Sequence, residues 1–352
     1  MTSLKEGGWH MSDDTLDYLS APLTLNWSLS FRCNFVCTHC YSRNDHCEEL
    51  STADNRRIVD ILAEKQIPFV NFGGGEPLLR EDLFEITRYA TDRGLRVSMN
   101  SNGWHINEET AAKISQAGFA SVGISIDSHE SAGHDDFRCQ PGSFDRAVRA
   151  LDLLRDAGVK TTMSSVISRI NFEHFRDLIE LARTHGARQL FLHNFKCSGK
   201  GFENREDLDL SPAQWREFYQ QALVVKSQTK DIALSFDDPV IASLPQYEEK
   251  PLVKGSSCGK LSLHLRPDGN LTPCGFIPLV LGNILRDDFD AVWHDSPILQ
   301  KMRNKQARGK CQGCDAFADC LGGCTARALA VTGDLEEADP HCWQGSDADA
   351  EQ

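Results

Sequence analysis

The chain has 352 residues, enough to bury a large core, and its hydrophobic fraction of 40% and charged fraction of 25% are ordinary for a globular protein. Its formal net charge of −14 argues against nucleic-acid binding, because neutralising phosphates requires a surplus of lysine and arginine. The sequence contains no apolar run long enough for a membrane span and no signal peptide, so we expect a cytoplasmic protein. In that reducing compartment its thirteen cysteines are better explained as metal ligands or catalytic thiols than as disulfides.

Short apolar runs alternate with amphipathic segments over the first half of the chain. The predicted strands cover residues 23–31, 68–72, 95–101, 119–126, 160–167 and 188–195. The clearest predicted helices between them cover residues 52–65, 80–94 and 143–158. Repeated strand–helix units predict an α/β fold with a parallel sheet and right-handed crossovers. An open doubly wound sheet and a barrel both fit this pattern.

Three cysteines follow the first predicted strand, in "CNFVCTHC": Cys33, Cys37 and Cys40. Loops at the carboxyl ends of parallel strands are where α/β folds place their chemistry. Three thiolates from one loop fit a [4Fe–4S] cluster with one iron open to another ligand, whereas structural zinc takes four protein ligands. A zinc site completed by Cys47 or His39, and chance clustering, are the alternatives.

The second predicted strand ends in "GGGEP", from Gly73 to Pro77. A glycine-rich loop is weak evidence alone, but its place one strand after the cysteine loop makes the pair specific. The motif CxxxCxxC followed by Tyr41, together with this loop, resembles the radical S-adenosylmethionine (radical SAM) enzymes. The resemblance implies a partial (β/α)6 barrel in which the open iron of the cluster binds SAM. It also implies reductive cleavage of SAM to a 5′-deoxyadenosyl radical, which abstracts hydrogen from an unactivated carbon.

The same resemblance implies which residues contact SAM. The glycine-rich backbone and Glu76 would bind the methionyl ammonium, since carbonyl groups and a carboxylate suit a cation. Strand-end polar residues would contact the ribose and carboxylate, and Arg138 would pair with the carboxylate through its guanidinium. The expected contacts are Gly73, Gly74, Gly75, Glu76, Asn100, Ser125, Asp127 and Arg138, with Ser98 and Asn102 beside them. Without the resemblance, these positions would be interpreted as ordinary polar residues at strand ends.

Beyond residue 196 the sequence changes character. Residues 211–228 predict one more helix, with Ser211 as its cap and Pro212 in its first turn. From residue 250 onward regular periodicity fades and cysteines accumulate, which is typical of a region held by metal. We therefore predict an N-terminal extension over 1–22, a radical SAM core over 23–235, a small cysteine-rich domain over 236–345 and a disordered acidic tail over 346–352.

Seven cysteines lie in the predicted C-terminal domain, four of them in "CQGCDAFADCLGGC" at 311–324. Read alone, this stretch is as good a zinc knuckle as a cluster site. The spacing of all seven, with Gly269 between the first two, resembles the SPASM pattern, whose domains hold two auxiliary [4Fe–4S] clusters. The implied ligands are Cys311, Cys314, Cys320 and Cys342 for the outer cluster, and Cys258, Cys274 and Cys324 for the inner one. The inner set has three members, which leaves an open iron or a distant ligand.

Three cysteines lie outside these motifs. Cys197 follows the sixth predicted strand and is the candidate catalytic residue, as an acid, a radical quencher or the missing cluster ligand. An inert thiol is the simpler interpretation of Cys197, Cys47 and Cys139 alike.

Together the motifs predict a radical SAM oxidoreductase or maturase that oxidatively modifies a ribosomal peptide or a peptide-derived cofactor precursor. Two auxiliary clusters suit a substrate radical that loses an electron. Gly275 stands where sulfatase-maturing relatives carry an aspartate base, which argues against their reaction. We also expect a small reductant protein such as flavodoxin or ferredoxin, and Cys33 lies too early for a preceding leader-binding domain.

Two alternatives remain from the sequence. The ending "CLGGCTARALAVTGDLEEADPHC" resembles tetrapyrrole-tailoring enzymes of haem or haem d1 synthesis, although mycofactocin-type peptide maturases end similarly. A non-catalytic zinc-ribbon scaffold is the remote alternative.

Overall fold

The computed structural model describes residues 19–42, 46–236, 238–247 and 253–345. The predicted acidic tail lies outside the described residues, as does most of the predicted N-terminal extension. Among the described helices, none combines the length and apolar character that crossing a bilayer requires.

Six parallel strands, paired in chain order, form the centre of the molecule. They are β1 (Thr24–Ser30), β2 (Phe69–Gly74), β3 (Arg96–Ser101), β4 (Ser121–Ser125), β5 (Thr161–Ile167) and β6 (Gln189–Asn194). A short strand, β7 (Ala233–Ser235), pairs parallel to β6. Each predicted strand overlaps an observed one, and the predicted α/β class with a parallel sheet is confirmed.

Helices connect successive strands of the sheet. They are α1 (Thr52–Glu64), α2 (Leu83–Asp92), α3 (Glu108–Ala117), α4 (Ser131–Arg138), α5 (Ser143–Asp156), α6 (Phe175–Thr184), α7 (Lys200–Glu203), α8 (Arg205–Leu208) and α9 (Pro212–Gln228). The predicted cap of α9 is confirmed: the Ser211 side chain accepts a hydrogen bond from the Gln214 backbone, and the Gln214 side chain accepts one from the Ser211 backbone.

The cysteine-rich region begins by extending the same sheet. Its elements are β8 (Ser262–Leu265), β9 (Asn270–Thr272), β10 (Gly282–Asn283), α10 (Phe289–Asp295), α11 (Pro297–Arg303), α12 (Phe317–Cys320) and α13 (Thr325–Thr332). Strand β8 pairs parallel to β1 and antiparallel to β9. Because Cys258 precedes β8 and Cys274 follows the antiparallel β9, the register places both cysteines beside the amino end of β1, whereas the Cys33 loop follows its carboxyl end.

A buried ion-pair network ties the C-terminal segment to the barrel. The Arg327 guanidinium binds both Asp238, with Nη2 2.7 Å from Oδ1, and Asp339, and all three side chains are at most 1% exposed. Asp238 also accepts a hydrogen bond from the Tyr219 hydroxyl at 2.7 Å, and Asp339 accepts one from the Cys324 backbone at 2.6 Å. The network therefore holds the backbone of Cys324 in place.

Arg327→Met should strongly destabilise the protein, because it leaves two carboxylates buried without their cation. Removing one partner of a buried ion pair costs about 3–5 kcal/mol. Thermal unfolding of anaerobically purified protein, followed by circular dichroism, measures the effect. The matched control is Arg308→Met, whose partner Glu336 lies 3.1 Å away on the surface and should contribute about 1 kcal/mol at most. Equal melting temperatures for the two variants would contradict the assignment.

Candidate active site

A cavity of about 470 Å³ lies between the barrel strands and the cysteine-rich region. Residues on and just after strands β1 to β6 form one side of it, and residues around β8, β9 and α13 form the other. Two groups of thiols line this single cavity: Cys33, Cys37 and Cys40 in one, and Cys258, Cys274 and Cys324 in the other.

The Cys33 loop is held against the end of α4. The Thr38 backbone and hydroxyl both donate to the Phe137 carbonyl, at 3.0 and 3.1 Å. Burial raises the pKa of the Cys37 thiol to about 11, although the Arg138 guanidinium, 4.0 Å from Sγ, opposes the shift. Cys33 and Cys40 are half-buried beside the buried Cys37, and neighbouring thiols ionise together readily only when a cation compensates the charge, so this donor set fits a metal centre.

The glycine-rich loop clamps the backbone of the cysteine loop. The Gly75 and Glu76 backbones donate to the carbonyls of Ser30 and Arg32, at 2.7 and 2.9 Å. A Cβ atom on Gly75 would lie only 1.9 Å from the Arg32 carbonyl oxygen, so this close approach requires glycine. A Cβ on Gly73 would meet no atom within 4 Å, which leaves that side of the loop open to the cavity.

Glu76 is a buried carboxylate on the cavity wall. Its oxygens accept hydrogen bonds from the Ser101 hydroxyl and the Asn102 backbone, both at 2.8 Å. Burial raises its pKa to about 7 in spite of these bonds. A cation in the cavity would restore its ionised form, so the group suits an ammonium ligand.

Arg138 lies where the sequence implied, whereas Asp127 does not. Arg138 lines the cavity, whereas Asp127 is not among the described residues that line it. The Asp127 carboxylate is fully buried behind the arginine, with Oδ2 2.6 Å from Nε, and its Oδ1 accepts from the Val166 backbone at 2.8 Å. Burial opposes ionisation, but the Arg138 charge holds the pKa of Asp127 below its usual value. Asp127 therefore orients Arg138 instead of facing a ligand.

Of the remaining expected SAM contacts, three line the cavity and one does not. Asn100, Asn102 and Ser125 line the cavity, and Gly123 gives room to Asn100, because a Cβ there would lie 2.3 Å from its Oδ1. The Ser98 hydroxyl instead lies 3.0 Å from the Ser121 hydroxyl, away from the described cavity wall.

Cys197, the candidate catalytic residue, does not line the described cavity. Its thiol is buried and donates to Asp209 Oδ2 at 3.3 Å, and His341 Nε2 lies 2.8 Å from the same oxygen. Burial, followed by the Asp209 charge, raises its pKa to about 12. The thiol turns away from the described cavity wall toward Asp209, which His341 also contacts, and a catalytic role for Cys197 stays a prediction. Cys139 is exposed at the end of α4.

The thiols of the cysteine-rich region come together in the two sets that the resemblance implied. The pKa of Cys274 lies well above its usual value because of a hydrogen bond with Cys258, burial and the nearby Cys324. In the other set, burial and then the charge of Cys342 raise the pKa of Cys320 to about 12. Cys311 interacts electrostatically with Cys342 and Cys314, and this second set is absent from the described wall of the cavity.

Several residues of the cavity were missed by sequence reasoning. Lys196 Nζ donates to Cys324 Sγ at 3.5 Å, and the Tyr41 ring centre lies 4.9 Å from that of Phe276. His264 Nε2 lies 2.8 Å from the Ser28 hydroxyl, within the barrel. Two of these residues could have been found from the sequence. Lys196 directly follows the end of a predicted strand, and His264 is a polar residue inside the apolar run "LSLHL".

Comparison with known proteins agrees with this geometry. The sequence pattern of the radical SAM superfamily matches residues 27–182, and that of an iron–sulfur cluster-binding domain, SPASM, matches residues 257–315. An AdoMet-dependent heme synthase of Methanosarcina barkeri is 31% identical over 92% of this chain and 97% of its own length. Mycofactocin maturase MftC of Mycolicibacterium smegmatis is 34% identical over 94% of this chain and 85% of its own.

A solved structure with the same fold is that of Streptococcus suis SuiB bound to precursor peptide SuiA. It superposes with a TM-score of 0.75 at 17% identity, over 94% of this chain and 78% of SuiB. The predicted radical SAM and SPASM domains, with the cofactors of these families, are confirmed. The chain belongs to the radical SAM superfamily, as an enzyme with a SPASM domain.

Proposed function

We propose that this enzyme oxidatively modifies a peptide or a peptide-derived cofactor precursor inside the cavity. Cys33, Cys37 and Cys40 would hold the SAM-binding [4Fe–4S] cluster. When bound, that cluster and SAM supply a 5′-deoxyadenosyl radical that takes hydrogen from an unactivated carbon, and auxiliary clusters offer a place for the electron that an oxidised substrate loses.

The cavity wall provides complementary groups for the methionyl end of SAM. The Glu76 carboxylate and the backbone of Gly73–Gly75 would bind its ammonium group. Arg138, oriented by Asp127, would bind its carboxylate, because a guanidinium pairs with a carboxylate through two N–H groups. Asn100 and Ser125, which line the cavity, would donate to or accept from the ribose.

The observation that supports a peptide substrate is the neutral polar lining of the cavity. Among the described lining residues, the carboxyl, guanidinium and ammonium groups belong to Glu76, Arg138 and Lys196, and the first two are assigned to SAM. The other polar lining groups are mainly amides and hydroxyls, which pair well with peptide N–H and C=O groups. A tetrapyrrole with several carboxylates would call for several cations. The name of the maturase relative, and the peptide held by the same fold in SuiB, also support the proposal.

Tetrapyrrole tailoring is the second candidate. Its support is the heme synthase relative, which this chain covers almost completely at 31% identity. The substrate assay below separates the two candidates.

We further propose that the auxiliary domain spans residues 236–345 beside a core of 23–235. Its outer cluster would be held by Cys311, Cys314, Cys320 and Cys342, and its inner cluster by Cys258, Cys274 and Cys324. A small cytoplasmic electron carrier, such as a flavodoxin or ferredoxin, would reduce the SAM-binding cluster.

The reconstituted, reduced enzyme should cleave SAM to 5′-deoxyadenosine, and a peptide precursor should stimulate cleavage and leave with a changed mass. The assay combines chromatography of 5′-deoxyadenosine with mass spectrometry of the substrate, and Cys37→Ala is the inactive control. Stimulation and modification of an iron-coproporphyrin, with none for peptides, would replace the proposed function by the tetrapyrrole candidate. The absence of SAM cleavage in a fully iron-loaded protein would refute both.

Glu76→Gln should weaken SAM binding, because it removes the negative charge opposite the methionyl ammonium. Hydrogen bonds to charged groups contribute about 1.5–3 kcal/mol, so Kd should rise roughly tenfold to a hundredfold. Anaerobic calorimetric titration of the cluster-loaded protein gives the value. Glu85→Gln is the control, since that carboxylate pairs with Arg56 on the surface. Unchanged Kd in Glu76→Gln would contradict the assigned contact.

Cys324→Ala and Cys314→Ala should damage different clusters. The first should impair the inner cluster and spare the outer, and the second should do the reverse, each with the loss of up to about four iron atoms. Iron counting and electron paramagnetic resonance of the reduced proteins provide the measurement. Loss of the outer cluster alone in Cys324→Ala would refute the division of ligands.

A further inference from the structure

Lys196 joins the end of the barrel to the inner set of thiols. Its Nζ donates to Cys324 Sγ at 3.5 Å and also to the Asn194 side-chain oxygen. The same ammonium lies 6.0 Å from the centre of the Phe276 ring. The proposed SAM contacts make no use of this charge.

Both ends of the Lys196–Cys324 contact are held in place. On the barrel side, the Ser198 backbone donates to the Lys196 carbonyl at 2.9 Å. Gly201 allows the chain to fold closely over that carbonyl, since a Cβ there would lie 2.7 Å from its oxygen. On the other side, Asp339 fixes the Cys324 backbone. The backbone is therefore held at both ends of the contact, and the Asn194 side-chain oxygen accepts a second hydrogen bond from the ammonium.

A positive charge beside a cluster ligand has a direct electrostatic consequence. A reduced [4Fe–4S] cluster carries one more negative charge than the oxidised cluster, while its cysteine ligands stay the same. An ammonium group that donates to a ligand sulfur therefore stabilises the reduced form more than the oxidised form. Hydrogen bonds to cluster sulfurs are a known means of setting the reduction potential.

We propose that Lys196 is a positioning residue that raises the reduction potential of the inner auxiliary cluster. This inference rests on the proposed assignment of Cys324 to that cluster. A higher potential would make the inner cluster the better acceptor for an electron withdrawn from a substrate in the cavity, because Cys324 and Lys196 both line that cavity.

Lys305 offers a matched comparison at the outer set. Its ammonium donates to the Glu337 carbonyl at 2.7 Å and interacts with Cys311 and Cys320, and less strongly with Cys324. Lys305 is absent from the described lining of the cavity. Removing its charge should act chiefly on the outer cluster.

The test is an anaerobic redox titration followed by electron paramagnetic resonance. Lys196→Met, Lys196→Arg and Lys305→Met are each placed in the full-length enzyme, and also in a Cys33→Ala, Cys37→Ala, Cys40→Ala background that retains only the auxiliary clusters. Lys196→Met should lower the midpoint potential of the inner cluster, leave that of the outer cluster unchanged and retain the full iron content. Lys196→Arg should keep most of the wild-type potential, and Lys305→Met should shift the outer cluster.

An unchanged inner potential in an iron-replete Lys196→Met protein would overturn the proposal, as would an equal shift of both clusters. Loss of iron from Lys196→Met would also overturn it, since the lysine would then serve cluster assembly. The assignment of Cys324 to the inner cluster is tested separately, by iron counting and electron paramagnetic resonance of Cys324→Ala. Loss of the outer cluster in that variant would refute the assignment. Failure of peptide modification would leave the measured potentials untouched.

Discussion

The pairing of β8 with β1 is the interaction on which the arrangement of this enzyme depends. Four residues of each strand pair in parallel register, from Thr24 opposite Ser262 to Trp27 opposite Leu265. Strand β1 leads into the Cys33 loop, and the β8–β9 hairpin is flanked by Cys258 and Cys274. The register brings Cys258 and Cys274 beside the amino end of β1, while the Cys33 loop follows its carboxyl end. Both groups line the same cavity, although more than 200 residues separate them along the chain.

Part of the cysteine-rich region packs into the large core, through residues such as Leu263, Leu271 and Trp293. The rest forms a small satellite cluster of buried residues: Ile277, Met302, Cys324, Ala326 and Leu335. The buried Arg327 network adds a polar link, because it joins α13 to Asp238 and to Asp339. Buried thiols with raised pKa values disfavour ionisation until metal binds. Folding of this region and metal binding are therefore coupled.

The corrections to the sequence interpretation share one physical cause. Asp127 and Cys197 were both chosen because they end or follow a strand, where α/β folds collect functional groups. Position along the chain does not say which way a side chain turns. Asp127 turns to the cation of Arg138 behind the cavity wall, and Cys197 turns to Asp209 and His341.

The fold class and the six central strands could be predicted from the sequence, because they depend on its hydrophobic period. The family and the cofactors were implied by a resemblance, which rests on cysteine spacings within short loops. The structure alone decided which strand-end groups face the cavity and which support them from behind. It also decided the contact between Lys196 and Cys324, which lie 128 positions apart. Such contacts depend on strand pairing and side-chain packing between distant segments, and no local spacing encodes them.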